Sequence, residues 1–586
     1  MNASLLNKEN FIYKYWPYLL VLCLALSRFM FLDMDTPSLF VSNLCAEDEA
    51  YYCSTGIEKF LLDKNPTAKS IYFKEYIGIS LYSHYPVYLS MKLFGNNFWA
   101  LRLFPVLLSI FTSLLIVDSL KRLILNKFFL LLGVLLIGLD FTLFMFGRYH
   151  GPQIYSIAAL AFLLWLFIRY GTDSKRNLFV IGFIAFFSVT VIYVYNLYIL
   201  GAFGLYFILL SIKMRKLKYL MFYSLGVLSA GLFLLMLLYF SGTSIQDILG
   251  VMENHGGGVK TDSGTNDSVF GFISNSVKLN LKSTLSAFIN NSVFTYNSVL
   301  LLLFSSAVGT WFVNKKQQHP LVILSLLIIT LAFLQNIFAQ SYPIKKLAVL
   351  LPVIVTFSLT AIDRLFSNRE LILASLKSRL ILVAFLLFGL VAVWFNYRTV
   401  NNADFYSFYV KLFGDFTPIN KSLMTVQFLI AGLVFVLVGI FIFKNNANYL
   451  KWISIGVIPS IVFISYSMSV GRTYLIRDSL IQDNKYLKEK NITGDFGYYF
   501  QFYTGAIPFY NFYNLHQNHP GEMERMDDSL YKSSREVLRM DKVTYTNSIS
   551  KKSIGDTILM SGEKKFLLLN KHPITNYDYF LLKRIE

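Results

Sequence analysis

Apolar runs of about 17–22 residues return along most of this chain, as in VQFLIAGLVFVLVGIFIF at 426–443. Each run matches the ~20 residues that a helix needs to cross a ~30 Å hydrocarbon core. Buried helices of a large soluble protein carry amphipathic stripes and shorter runs, so the pattern reads as an α-helical polytopic membrane protein. Thirteen candidate spans follow: 16–32, 98–117, 128–146, 152–170, 178–195, 197–212, 219–240, 297–313, 320–339, 344–360, 380–397, 423–443 and 452–470. The first has no small-residue cleavage site after it and reads as a span rather than a removable leader.

A net charge of +19 raises nucleic acid as a partner, but the cations form no single stripe. They sit in short clusters between apolar runs: Lys8 and Lys14, then Lys121, Arg122 and Lys127, then KMRKLK at 213–218, and later Lys444 with Lys451. That is positive-inside patterning. It predicts a cytoplasmic N-terminus and, after thirteen spans, an extracytoplasmic C-terminus.

The long polar stretches then all fall outside: 33–97, 241–296 with its GGG and TDSGTNDS, the shorter 398–422, and the tail 471–586. Connections of this length are usually functional or disordered. KVTYTNSIS (542–550) and KKFLLLN (564–570) have strand character, so the tail reads as a small extracytoplasmic α/β domain following a transmembrane domain of residues 1–470. A partner-docking module is the other reading. Cys45 and Cys53 both fall outside, where a disulfide is permitted; a bridge and unpaired thiols both remain open.

Charge at the outer boundary is the functional signal, because ionisable residues within a bilayer are costly. Arg28 lies about one turn from the outer end of the first span, and Arg102 about one turn into the second. Arg148 and His150 sit at the outer end of the third, and Lys345 and Lys346 begin the tenth on the same side. Snorkelling anchors are one reading; a site for an outer-leaflet phosphate is the sharper one. Beside it falls CAEDEAYYC (45–53), three consecutive carboxylates in a strongly apolar chain. Cations that hold a phosphate, plus a carboxylate at a water boundary, describe transfer with a phosphate leaving group: the cations bind the departing charge and the carboxylate takes a proton from an attacking hydroxyl. The same block is also a good cap for a helix beginning near Asp48.

In order along the chain, DEAYY (48–52), HYPVYLSMKLFG (84–95), FWALRLFP (98–105), FGRYHGPQIYSIAALAFLLW (146–165) and SYPIKKLAVLLP (341–352) resemble the GT-C membrane glycosyltransferases. The likeness is to the branch of protein O-mannosyltransferases and the bacterial lipid A aminoarabinose transferase. The resemblance implies a GT-C-like fold in a bacterial inner membrane, with an isoprenyl-phosphate-linked sugar as donor and inverting transfer to a lipid, glycan or protein acceptor outside. It implies Asp48 as base with Glu49 beside it. It assigns phosphate contacts to His84, Tyr342 and Lys345 or Lys346, to which the charge pattern adds Arg28, Arg102, Arg148 and His150 as surrounding groups. It also implies no metal and no cofactor, a divalent cation being left open. Many relatives carry an acidic residue four or five positions after the arginine of the third segment, where this chain has Pro152 and Gln153. An O-antigen polymerase or ligase and a lipid-linked-sugar transporter or flippase are the rival functions. The transporter predicts pseudo-symmetric halves, and no such repeat is visible.

Overall fold

The structure is a computed structural model. It describes residues 3–30, 85–95, 97–148, 150–192, 194–241, 284–290, 292–295, 297–313, 320–338, 347–401, 417–444, 496–499, 537–541, 553–559, 565–574 and 577–585, and positions 32, 53, 56, 59, 60, 281, 486, 489 and 490. The helices are α1 (Ala3–Ala25), α2 (Tyr85–Phe94), α3 (Phe98–Leu123), α4 (Lys127–Gly138), α5 (Phe141–Phe146), α6 (Pro152–Tyr170) and α7 (Lys175–Phe187). They continue with α8 (Leu197–Met214), α9 (Lys218–Ser241), α10 (Ser298–Val313), α11 (Pro320–Phe338), α12 (Leu351–Ser367), α13 (Leu376–Asn401) and α14 (Thr417–Lys444). Among the described residues, ten helical segments are long and apolar enough to cross a membrane, and α10 is a shorter apolar helix. With α2 apart, these helices cover the first twelve expected spans; the thirteenth, 452–470, lies outside the described residues.

The termini follow local chemistry. Asn97 accepts the Ala100 amide at 2.8 Å and caps α3, and Asn126 accepts the Phe128 amide at 2.9 Å and caps α4. Such caps satisfy amides that a helix start leaves without intrahelical partners. Pro152 opens α6, where its missing N–H costs nothing. Asp363 on α12 accepts the amides of Leu125 (3.0 Å) and Asn126 (3.1 Å), tying the turn between α3 and α4 to a helix far along the chain.

Helix α6 is buried over most of its length, as is α12. The two pack on each other, α6 also packs on α3, and α10 packs on α12 and α13. Contacts between membrane helices depend on close approach, because lipid offers no hydrophobic drive between them. Gly133 therefore sits where a Cβ would meet Leu120 at 2.7 Å and Leu359 at 2.9 Å. The exposed Leu228, Leu232 and Met236 of α9 present apolar surface to lipid rather than to water.

Two expected spans are irregular. The run 128–146 breaks at Leu139–Asp140 into α4 and α5. Asp140 accepts the Leu143 amide at 2.8 Å and starts the second piece. The run 178–195 passes from α7 into a π-turn (Ser188–Ile192) and a 3-10 turn (Val194–Asn196). Polar backbone freed in a membrane must find protein partners, and two amide side chains supply them here. Asn196 donates to the Ser188 carbonyl (3.0 Å) and the Ser156 hydroxyl (3.0 Å). Gln335 of α11 donates to the Tyr195 carbonyl (3.1 Å) and accepts the Tyr198 amide (3.0 Å).

The C-terminal part contains β1 (Phe496–Tyr499), β2 (Val537–Asp541), β3 (Thr557–Leu559), β4 (Lys565–Ile574) and β5 (Tyr577–Arg584). They form one sheet in the order β1-β2-β5-β4-β3, with β1 and β2 parallel and the other pairs antiparallel. Residues 565–570 of KKFLLLN open β4, where Phe566, Leu568 and Leu569 are buried and the register shifts between Leu568 and Asn570. KVTYTNSIS lies outside the described residues.

Candidate functional site

The site is built where α1 ends. The helix passes into a 3-10 turn, Leu26–Phe29, and the chain becomes extended at Met30 (φ −70°, ψ 132°). A helix end leaves carbonyl groups without intrahelical donors. Here Arg102 and Arg148, from separate segments, supply donors to the exit, while Arg28 of the exit itself reaches α3 and α4. Arg28 donates through Nη1 to the Ser109 carbonyl (2.8 Å) and the Ser113 hydroxyl (2.9 Å) of α3, and through Nη2 to the Ile137 carbonyl (2.8 Å) of α4. Arg102, in the first turns of α3, donates through Nη1 to the Leu32 carbonyl at 2.6 Å. Arg148, just after α5, donates through Nη2 to the Met30 carbonyl at 2.7 Å and lies over the Phe144 ring. All three are only 1% exposed.

Glycine makes this approach possible. A Cβ on Gly147 would stand 2.5 Å from the Leu143 carbonyl oxygen and 2.6 Å from the Ser109 side chain. The FGR sequence thus brings Arg148 down beside the same α3 turn that holds Arg28. Asp140 at the α4–α5 break lies within electrostatic reach of Arg28, so the buried guanidinium has a buried carboxylate nearby.

His150 is fully buried. Its Nδ1 is 3.1 Å from the Tyr155 hydroxyl on α6, and the ring lies beside Arg102. Its Nε2 has no hydrogen-bond partner among the described residues. Cys53, five positions after Asp48, is buried and within electrostatic reach of Tyr155.

Arg28, Arg102, Arg148 and His150, four of the residues singled out from sequence, therefore share one end of the bundle. Asp48, Glu49, His84, Tyr342, Lys345 and Lys346 lie outside the described residues. Two of their neighbours along the chain are described. Helix α2, which starts directly after His84, packs on α3, with the Ser90 hydroxyl donating to the Ala100 carbonyl. The buried turn Ala348–Leu350, two residues after Lys346, packs on α6. Sequence reasoning overlooked Asp140 and Tyr155. A carboxylate inside an apolar run was the available signal for Asp140; Tyr155 has none, being one tyrosine of 38. Among the described residues no group of three or more His, Cys, Asp or Glu is placed to hold a metal ion.

Three comparisons bear on this arrangement. Residues 81–239 match the profile of the dolichyl-phosphate-mannose-protein mannosyltransferase family. An uncharacterized protein of Aquifex aeolicus (strain VF5) is 32% identical over 103 residues, which are 18% of this chain and 21% of that protein. The crystal structure of ArnT from Cupriavidus metallidurans in the apo state superposes with a TM-score of 0.50 at 13% identity, covering 97% of this chain and 98% of that one. The same protein bound to undecaprenyl phosphate gives 0.48 at 14%, with the same coverage. The fold is therefore GT-C-like: a polytopic helical membrane protein of the architecture seen in apo ArnT. Within it, the segment from α2 to α9 resembles the polytopic mannosyltransferases of the matched profile.

Proposed function

We propose that the chain is a membrane glycosyltransferase, which takes a sugar from an isoprenyl-phosphate carrier and passes it with inversion to an acceptor at the outer membrane face. The observation that supports this most is the convergence of Arg102 and Arg148 on the exit of α1, which carries the buried Arg28 and precedes the segment bearing Asp48 and Glu49 in the chain. The profile match over residues 81–239, to a family described by a phosphate-linked sugar donor, adds to it.

In the proposed reaction an acceptor hydroxyl attacks the anomeric carbon from the face opposite the phosphate. Asp48 receives the hydroxyl proton, and Glu49 orients it. The bond between the anomeric carbon and the phosphate oxygen breaks, and its electron pair leaves with the isoprenyl phosphate. A phosphate is stable as the departing anion, so no general acid is required, unlike a glycosidase. His84, Tyr342, Lys345 and Lys346 hold the phosphate and stabilise its growing charge. The guanidinium groups of Arg28, Arg102 and Arg148 and the buried imidazole of His150 surround them.

The test is sugar release from a labelled isoprenyl-phosphate-linked hexose or pentose by the protein in proteoliposomes, at matched expression of variants. Asp48→Asn lowers the rate by about 10²–10⁴, whereas Glu47→Gln stays near the native rate. Native rates in Asp48→Asn, Glu47→Gln and Glu49→Gln alike would reduce the acidic block to a helix cap.

A further inference from the structure

The end of the bundle opposite Arg28, Arg102 and Arg148 carries a second group of charges. Asp118, near the end of α3, lies 3.0 Å from Arg122 Nε and 3.7 Å from Arg169 Nη1 of α6. Lys121 donates to the Lys14 carbonyl of α1, and its Nζ stands 4.8 Å from the centre of the Tyr18 ring. We propose that Arg122, Arg169 and Lys121 form a seat for the headgroup of an anionic phospholipid, whose chains lie along α3.

Two guanidiniums and an ammonium stand around one carboxylate, so positive charge is left over where α1, α3 and α6 meet. Arg122 turns only Nε to Asp118. Its Nη1 and Nη2 meet no acceptor among the described residues, and its side chain is exposed. A guanidinium fork of this kind matches two oxygens of a phosphate. Holding the helices together does not account for Arg122, because an exposed partner of Asp118 adds little to stability. Nor is it a plain anchor. A snorkelling cation serves its own helix, whereas Asp118 gathers cations from α3 and α6 at one point.

The surrounding rings set the depth. Lys14 stands over Tyr15, Lys121 over Tyr18, and Arg169 over both Trp165 (5.0 Å) and Tyr170 (5.5 Å). Tryptophan and tyrosine gather at the headgroup level of a bilayer, so these cations face headgroups rather than open water. From Arg122 and Asp118 the same side of α3 continues through the partly buried Leu114 to the exposed Phe111 and Leu107, at helical spacing. Arg122 to Phe111 is about 16 Å at ~1.5 Å per residue, roughly half of a ~30 Å hydrocarbon core and so the reach of one acyl chain. A soluble anion would use the cations and leave the apolar stripe unused. A lipid uses both, as lipids do in basic pockets between membrane helices.

The experiment titrates the delipidated full chain in detergent with dioleoylphosphatidylglycerol, dioleoylphosphatidylcholine or glycerol 3-phosphate. Melting temperature and the mass of retained lipid are read. A ligand of the folded state alone stabilises it, so phosphatidylglycerol should raise the melting temperature at a micelle fraction about fivefold below that of phosphatidylcholine. Glycerol 3-phosphate should have no effect. In Arg122→Gln/Arg169→Gln the half-saturating fraction of phosphatidylglycerol should rise about tenfold, and in Arg122→Lys/Arg169→Lys, which keeps the charge but loses the fork, by less. Arg122→Gln alone leaves the Tyr18 and Trp165 bonds to Asp118 in place and so folds; it should show a rise of about threefold. Lys377 and Lys444 supply the control. They lie at the same end of the bundle, where Arg379 of α13 donates to the Phe443 carbonyl of α14 at 3.2 Å. Lys377→Gln/Lys444→Gln removes as much charge and should keep native phosphatidylglycerol affinity.

Native phosphatidylglycerol affinity in Arg122→Gln and in Arg122→Gln/Arg169→Gln would overturn the seat. An equal loss in Lys377→Gln/Lys444→Gln would overturn it too, by making net charge the cause. Equal stabilisation by phosphatidylcholine would remove the preference for an anionic headgroup, and equal stabilisation by glycerol 3-phosphate would make the occupant a soluble anion.

Discussion

Gly182 of α7 and Gly226 of α9 mark a single helix crossing from its two sides. A Cβ on Gly182 would lie 2.1 Å from the Tyr223 carbonyl oxygen, and one on Gly226 would lie 2.0 Å from that of Phe179. No side-chain rotation relieves a clash with main chain, so the helices must part. Gly182→Ala and Gly226→Ala should each lower stability by about 1–3 kcal/mol, read as a fall in melting temperature in detergent. Gly432→Ala and Gly439→Ala on α14, where nothing lies within 4 Å, are the controls and should be neutral or slightly stabilising. Equal melting temperatures for all four variants would contradict the close crossing.

Asp118 of α3 accepts hydrogen bonds from Tyr18 of α1, from Trp165 of α6 (2.8 Å) and from Arg122 (3.0 Å), so one carboxylate ties three helices. Arg122 is 40% exposed, and such an exposed pair contributes little. The two aromatic donors therefore carry the interaction. Asp118→Asn should destabilise by about 1.5–3 kcal/mol, the range for hydrogen bonds to a charged group. Arg122→Ala should cost less than ~1 kcal/mol. Thermal melts of the two variants check the order, and a larger loss in Arg122→Ala would reverse the assignment.

For the proposed phosphate site, the Lys345→Ala/Lys346→Ala double variant should insert normally and lose about 100-fold in transfer rate, the equivalent of about 3 kcal/mol for a lost contact to a developing oxyanion. Transfer from the isoprenyl-phosphate sugar measures it. A native rate would make the two lysines interfacial anchors only.

The charge clusters predict a cytoplasmic N-terminus and an extracytoplasmic C-terminus. A reporter fused after Glu586 and active only outside the cytoplasm should therefore light up. Activity confined to a cytoplasmic reporter would displace the acidic connection from the outer face and remove the proposed site with it.

Much of the architecture could be read along the chain, because membrane thickness acts on one residue after another. A run of ~20 apolar residues needs no distant partner to declare itself a span, and α3 and α6 through α14 lie where such runs lie. The same reasoning singled out Arg28, Arg102, Arg148 and His150, since an ionisable group at the edge of an apolar run is visible in sequence, and the structure buries all four at one end of the bundle. It missed the division of one run at Asp140 and the π-turn after Phe187, since both depend on groups that catch the freed backbone. Arg28 donates to the Ile137 carbonyl and Asp140 accepts the Leu143 amide at the break, and Asn196 and Gln335 hold the turn. The partner of each arginine was equally out of reach. Arg102 and Arg148 meet their carbonyl partners across 70 and 118 positions of sequence. A hydrogen bond is decided within about 3 Å, and only the packing of α1, α3 and α5 around Ser109 and Gly147 brings donor and acceptor to that distance.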